Sequence, residues 1–278
     1  MILGYNTNGF SSHDPLQAIK VLGELGYRCL AITVDHQWLN PFSADWREQL
    51  GRIQEALKTY QMTSVIESGA RFLLDPRKKH FPTLLSQNAA DRERRVDFLL
   101  HCLQVADALG SQCVSLWSGS SDELLDNQKG LDRLAHSLDP VLKRAEELQI
   151  PLAFEPEPGM FIATTADYER MKRWIDSKFL RLTMDIGHLF CLGEVPIADR
   201  IYRYRDEMVN VHIEDMNAGI HDHLMFGDGQ ISFPPILAAL KEIDYRGPIN
   251  VELSRHSHNA YEIAKGSYLF LNSIMRTR

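Results

Sequence analysis

Four short segments decide the reading of this chain: FEPEP at 154–158, MDIGH at 184–188, VHIED at 211–215 and NVELS at 250–254. Each is an apolar run that reaches a carboxylate or an imidazole, namely Glu155, Asp185, His212 and Glu252. They recur at intervals close to one strand–helix–strand unit. Four strands that each deliver one ligand-type side chain at the same end describe a divalent-metal site at one end of a barrel.

Working outward, the same rhythm fills the chain. Strands are expected at 3–10, 29–34, 63–67, 112–117, 152–155, 182–185, 209–213 and 249–253. Between them lie helical stretches at 46–60, 91–109, 122–149, 166–175, 197–207, 235–243 and 261–275. Asp14-Pro15 supplies an N-cap and a proline at the first helical position, and an amphipathic run follows to Gly26. Val96, Leu99, Leu100, Leu103 and Ala106 share one helical face, and Gly110 is placed to end that helix. Pro140 marks a bend in the long stretch that contains it.

Eight strand–helix units without a break predict an α/β chain with a parallel sheet closed on itself, a single (β/α)8 TIM barrel over residues 1–278. An open doubly wound sheet is the alternative, but no GxGxxG follows the first strand. Residues 68–87 read as a long loop after the third strand, and residues 214–229 as a loop after the seventh.

Composition narrows the class. The chain has 278 residues, 44% hydrophobic and 24% charged, so it can build a full core. Its net charge of −7 argues against a nucleic-acid partner. Cys29, Cys102, Cys113 and Cys191 are scattered and read as reduced core thiols of a cytoplasmic protein. No signal peptide and no membrane span are expected.

In such a barrel catalytic groups stand at the carboxyl ends of the strands. A lone strand-end carboxylate reads equally as an ion pair or a capped turn. Four at matching positions read as a metal site with ligands Glu155, Asp185, His212 and Glu252. Three carboxylates with one imidazole favour Mn²⁺ or Mg²⁺, and the histidine keeps Zn²⁺ and Co²⁺ open.

These motifs carry a resemblance. A Glu after the fifth strand, Asp185-Ile186-Gly187-His188, His212-Ile213-Glu214-Asp215 and a Glu after the eighth strand resemble the xylose-isomerase-like superfamily, in its sugar phosphate isomerase/epimerase group. The resemblance implies that Glu155, Asp185, His212 and Glu252 hold one divalent metal and that His188 contacts substrate. It implies proton transfer by Glu155 and Glu252 through a metal-stabilised enediolate, giving isomerisation or epimerisation of a small sugar, sugar phosphate or polyol-derived substrate. Loss of water from the same enediolate gives a lyase as the alternative, and a non-catalytic binding barrel is a third class.

Relatives carry a histidine before a Gly-x-Gly turn where this chain has His221-Asp222-His223 and Gly227-Asp228-Gly229, which makes His223, then His221, a substrate or second-metal contact. The superfamily's trinuclear apurinic endonucleases need histidines after the third and fourth strands. This chain has Glu67-Ser68-Gly69-Ala70 and Leu116-Trp117-Ser118-Gly119 there, so a hydrolase of that kind is the weaker reading. Arg71 and Arg255 lie near strand ends and suit an anionic substrate. The run Arg77-Lys78-Lys79 reads as a solvated surface. Trp117 is a candidate wall for a sugar ring and equally a core residue, and Asn6 and Asn8 flank the first strand. Oligomeric state is not legible.

Overall fold

The computed structural model describes residues 1–276. In chain order it forms β1 (Ile2–Asn6), α1 (Pro15–Leu25), β2 (Cys29–Thr33), α2 (Trp46–Thr59), β3 (Thr63–Glu67), α3 (Ala89–Leu109), β4 (Val114–Leu116) and α4 (Asn127–Leu148). Then come β5 (Leu152–Phe154), α5 (Thr165–Trp174), β6 (Leu180–Asp185), α6 (Ile186–Cys191), α7 (Ile197–Arg203), β7 (Met208–Ile213), β8 (Asp215–Asn217) and β9 (Ile220–Leu224). The chain closes with α8 (Phe233–Glu242), β10 (Pro248–Val251) and α9 (Ala260–Arg276).

Eight strands form a closed parallel barrel in the order β1-β10-β7-β6-β5-β4-β3-β2, while β8 and β9 pair only with each other. Strands buried on both faces read as continuous apolar runs rather than alternating ones. The segments CLAIT, VSL and LAF of β2, β4 and β5 are buried throughout for that reason.

The chain divides into two compact units, each taken by itself. The first holds residues 1–32, 51–64 and those from Met184 on. In it β1 pairs with β2 and β10, and β10 pairs with β7 with Asn250 opposite His212. The second holds residues 33–50 and 65–183, with β3, β4, β5 and β6 in consecutive parallel pairs.

Helix boundaries follow local chemistry. Asp14 caps α1 by accepting from Leu16 and Gln17 N–H, and Gly26 ends it at φ 109°, a value that suits glycine. Gly110 ends α3 in the same way at φ 64°. The capping box of Thr164 and Asp167 opens α5.

Four expectations need correction. The first strand stops at Asn6, because its side chain accepts from Asn8 N–H at 3.1 Å and turns Thr7–Phe10 into a 3-10 helix. The chain after β6 winds directly into α6, since Asp185 Oδ1 caps it through His188 N–H at 2.7 Å. The stretch after β7 is an antiparallel hairpin rather than a loop. Helix α4 starts at Asn127 rather than at 122, because the Asp126 side chain caps it by accepting from Lys129 N–H at 2.8 Å.

Two buried ionic side chains organise irregular backbone. Arg95, 3% exposed, donates to the carbonyls of Ser68 at 3.2 Å, His80 at 2.8 Å and Pro82 at 2.8 Å, which pins the segment after β3. Burial pulls its pKa down to about 10. Asp215 accepts from Met216 N–H at 2.9 Å, Ile231 N–H at 3.0 Å and Gly227 N–H at 2.9 Å, so one carboxylate ties the start of the hairpin to the segment that follows it. A Cβ at Gly229 would lie 2.3 Å from Asp215 Oδ1, which is why a glycine stands there. Asp215→Ala leaves three backbone donors unmet and is expected to cost on the order of 3 kcal/mol in urea unfolding, against less than about 1 kcal/mol if the carboxylate does not hold the hairpin.

Candidate metal centre

The register of β7 against β10 sets the site. Asn250 pairs with His212, so Glu252, two residues on, projects to the same face just beyond His212. His212 Nδ1 lies 2.9 Å from Glu252 Oε2 and 3.8 Å from Asp185 Oδ2. His188, carried by α6, places Nε2 at 3.6 Å from Asp185 Oδ2. Asn8 Nδ2 donates to Glu252 Oε1 at 2.7 Å. Asp185, His188 and His212 are each 3% exposed or less.

A third carboxyl, Glu214, is fully buried and accepts from Gly187 N–H through Oε1 at 3.1 Å. A Cβ at Gly187 would meet that oxygen at 2.0 Å, so the backbone approach requires glycine.

Electrostatics sort the three acids into two kinds. Burial opposes ionisation of Glu252, but His212, with His223 and His188 behind it, reverses this and holds its carboxyl well below the usual range. Asp185 follows the same balance, with burial overcome by His188, His212 and His223. Glu214 goes the other way: burial, then the charges of Asp185 and Glu252, push its pKa far up and leave it a neutral acid. Burial also lowers His188 to about 4 and lowers His221, so both rings stay neutral near pH 7.

The donor set fits a divalent cation. Asp185 Oδ2 is buried and meets no N–H donor among the described residues; the neutral Glu214 carboxyl is its hydrogen-bonding neighbour. Two ionised carboxylates and an imidazole converge there, a mixture suited to Mn²⁺, Mg²⁺, Co²⁺ or Zn²⁺. A second cluster adjoins it. His221 and His223 alternate on β9 and so share a face, and with His188 their ring nitrogens lie within 4.8 Å of one another. His223 Nδ1 donates to the Glu252 carbonyl at 3.2 Å, which leaves Nε2 as its acceptor.

The other expected residues have protein partners. Glu155 directly follows β5, is 5% exposed, and donates its N–H to Leu116 O at 2.8 Å. Arg71 pairs with Asp35 at 3.1 Å, and Arg255 with Asp222 at 2.6 Å, on an arm that is 63% exposed. Trp117 stands edge-on to His80 at 5.2 Å and 5.1 Å from the Arg95 guanidinium. All four cysteines are buried and free. No helix among the described residues is long and apolar enough to cross a membrane.

Sequence reading assigned no role to Glu214, Asn210 or Asn250. Their signal is visible in retrospect. Asn210-Val211-His212 and Asn250-Val251-Glu252 repeat one pattern, a polar residue two places before each ligand and on the same strand face.

Comparison with known proteins identifies the family. Residues 19–274 match the family described as xylose isomerase-like TIM barrel, and the chain belongs to it. Among solved structures, a D-tagatose 3-epimerase-like protein superposes with TM-score 0.79 at 23% identity, over 98% of this chain and 99% of the other. L-ribulose 3-epimerase gives TM-score 0.80 at 17% identity over 99% and 94%. In sequence, inosose dehydratase of Lacticaseibacillus casei is 30% identical over 163 residues, 52% of this chain and 54% of that protein. An uncharacterised protein of Methanocaldococcus jannaschii is 30% identical over 179 residues, 60% of this chain and 59% of the other, so the matches span little more than half of these curated relatives.

His80, beside Trp117, gives a pH prediction. Burial lowers its pKa to about 4, while its Nδ1 meets Gly69 O at 2.9 Å. The unfolded chain takes up a proton near 6.5 that the folded chain refuses until about 4. This stability is therefore present above pH 6.5 and lost as the pH falls toward 4. His80→Asn cannot titrate, and its urea midpoint is expected to drop less than that of the wild type between pH 7 and pH 4.5; an equal drop excludes His80 as a source of the acid sensitivity.

Proposed function

We propose that this chain is a divalent-metal-dependent isomerase or epimerase of a small sugar, sugar phosphate or polyol-derived substrate. The observation that carries the reading is the pair of ionised carboxylates, Asp185 and Glu252, whose oxygens lie 3.8 and 2.9 Å from one buried nitrogen, His212 Nδ1. Glu155, at the carboxyl end of β5, completes the ligand set in this proposal. The names of the structural neighbours, D-allulose 3-epimerase and L-ribulose 3-epimerase among them, support a carbohydrate as the substrate class.

A bound divalent cation supplies Lewis acidity, which lowers the pKa of a C–H bond next to a carbonyl. The remaining work falls to side chains. Glu252 is ionised and therefore able to take that proton, and Asn8 fixes its carboxylate plane through the 2.7 Å bond to Oε1. Glu155 is the second acid–base group, returning a proton to the substrate. Return to the opposite face of the same carbon gives an epimer, and return to the neighbouring carbon gives an isomer. His188 and His223 meet substrate hydroxyls in this scheme. Trp117 walls the sugar. Arg255 and Arg71 serve an anionic group, and each must first leave its aspartate.

A second reading has its own support. The similarity to inosose dehydratase favours elimination, in which the same C–H proton is removed and a neighbouring hydroxyl leaves as water. Product mass separates the two, because rearrangement conserves mass and dehydration does not.

With candidate ketoses in deuterium oxide and added Mn²⁺, Mg²⁺, Co²⁺ or Zn²⁺, the wild type is expected to exchange the hydrogen next to the carbonyl. Glu252→Gln is expected to fold and to lose about 10²- to 10⁴-fold in exchange rate. Wild-type exchange in that variant removes Glu252 from proton transfer. Chelation should abolish exchange reversibly, and exchange that persists in a chelated sample rejects the metal requirement.

A further inference from the structure

Behind His212 lies a chain of two amides. Asn250 Nδ2 donates to Asn210 Oδ1 at 2.9 Å, and Asn210 Nδ2 lies 3.1 Å from His212 Nε2. Asn210, Asn250 and His212 are each 1% exposed or less. An amide nitrogen donates and does not accept, so Nε2 accepts here. The neutral ring then carries its proton on Nδ1, where it donates to Glu252 Oε2 at 2.9 Å. One atom of the chain is unsatisfied: Asn250 Oδ1 is buried with no hydrogen-bond partner among the described residues.

Nδ1 is also the nitrogen that faces both Glu252 Oε2 and Asp185 Oδ2, at 2.9 and 3.8 Å. It is therefore the nitrogen available to a cation shared with those carboxylates, and a ligating nitrogen carries no proton. If the ring stays neutral, one proton leaves Nδ1 and one arrives at Nε2, with no net change. Nε2–H would then face the Asn210 NH₂ group, donor against donor. Turning the Asn210 amide presents Oδ1 to Nε2–H and its NH₂ to Asn250. Turning the Asn250 amide in step presents Oδ1, the atom now unsatisfied. Room for that amide comes from β1: Gly4 pairs with Asn250, and a Cβ there would lie 1.9 Å from Asn250 Oδ1.

We propose, on the reading of Asp185, His212 and Glu252 as a cation site, that Asn210 and Asn250 form a reversible amide relay. The relay fixes the proton of His212 on Nδ1 in the metal-free protein and turns over to fix it on Nε2 when Nδ1 binds the cation. Both asparagines are positioning residues that act through His212. Partners of this kind orient a ligating histidine and select its tautomer.

The test reads the tautomer directly. Long-range proton–nitrogen spectra of protein labelled with ¹⁵N-histidine are expected to show His212 protonated at Nδ1 without metal and at Nε2 with saturating Zn²⁺. Asn210→Asp offers only acceptors, so its His212 is expected at Nε2–H even without metal. By calorimetry, Asn210→Leu and Asn250→Leu are expected to weaken Zn²⁺ binding roughly 10- to 100-fold, while Asn210→Asp retains it. Circular dichroism checks that each variant folds, and the wild-type spectra need no variant. Metal-free wild type already at Nε2–H, or metal-free Asn210→Asp still at Nδ1–H, overturns the relay. A wild type that binds no Zn²⁺ overturns the cation reading and the reversal with it, while the metal-free spectra still decide the tautomer.

Discussion

Buried negative charge is the constraint around which this site is built. An isolated carboxylate taken out of water costs many kcal/mol, so it must find a positive partner, a donor or a proton. Asp185, Glu214 and Glu252 show all three answers. Glu252 takes His212 and Asn8; Asp185 takes the cap of α6 and the nearby rings; Glu214 keeps its proton. Protonation of Glu214 also relieves repulsion that would otherwise raise Asp185 and Glu252. The neutral acid and the two ionised ones are thus parts of one electrostatic balance, joined where Glu214 hydrogen-bonds to Asp185.

The fold explains how these groups meet. Parallel strands in a barrel bring their carboxyl ends to one side, and the β7–β10 register brings His212 level with the segment that carries Glu252. Asp185 ends a strand and caps the following helix, so one residue both stops β6 and aims His188. Small residues make the approach feasible. Gly4 clears space for Asn250, and Gly187 lets the backbone reach Glu214.

Much of this was legible in the chain. The barrel strands were readable because burial on both faces leaves unbroken apolar runs, and α1, α3 and α5 because their boundaries carry standard caps. Asp185, His212 and Glu252 stood out because a charged or titratable residue ending such a run needs a reason. The less visible parts lacked periodicity. Helix α6 is six residues long and almost wholly buried, too short to display a polar face. The hairpin strand Ile220–Leu224 alternates histidine with aspartate rather than apolar with polar, so it reads as loop. Asn210 and Asn250 were hidden by chemistry, since an inward asparagine in a strand looks like a misplaced surface residue until the imidazole beside it is known.

The hairpin has a consequence for how such a protein diverges. Its two strands pair only with each other, so its backbone takes no part in the barrel ladder. His221 and His223 pack on the His188 ring, while Asp222 pairs with Arg255. An exchange of imidazole for carboxylate or amide at His221 or His223 would change the donor set beside His188 while leaving the barrel ladder untouched.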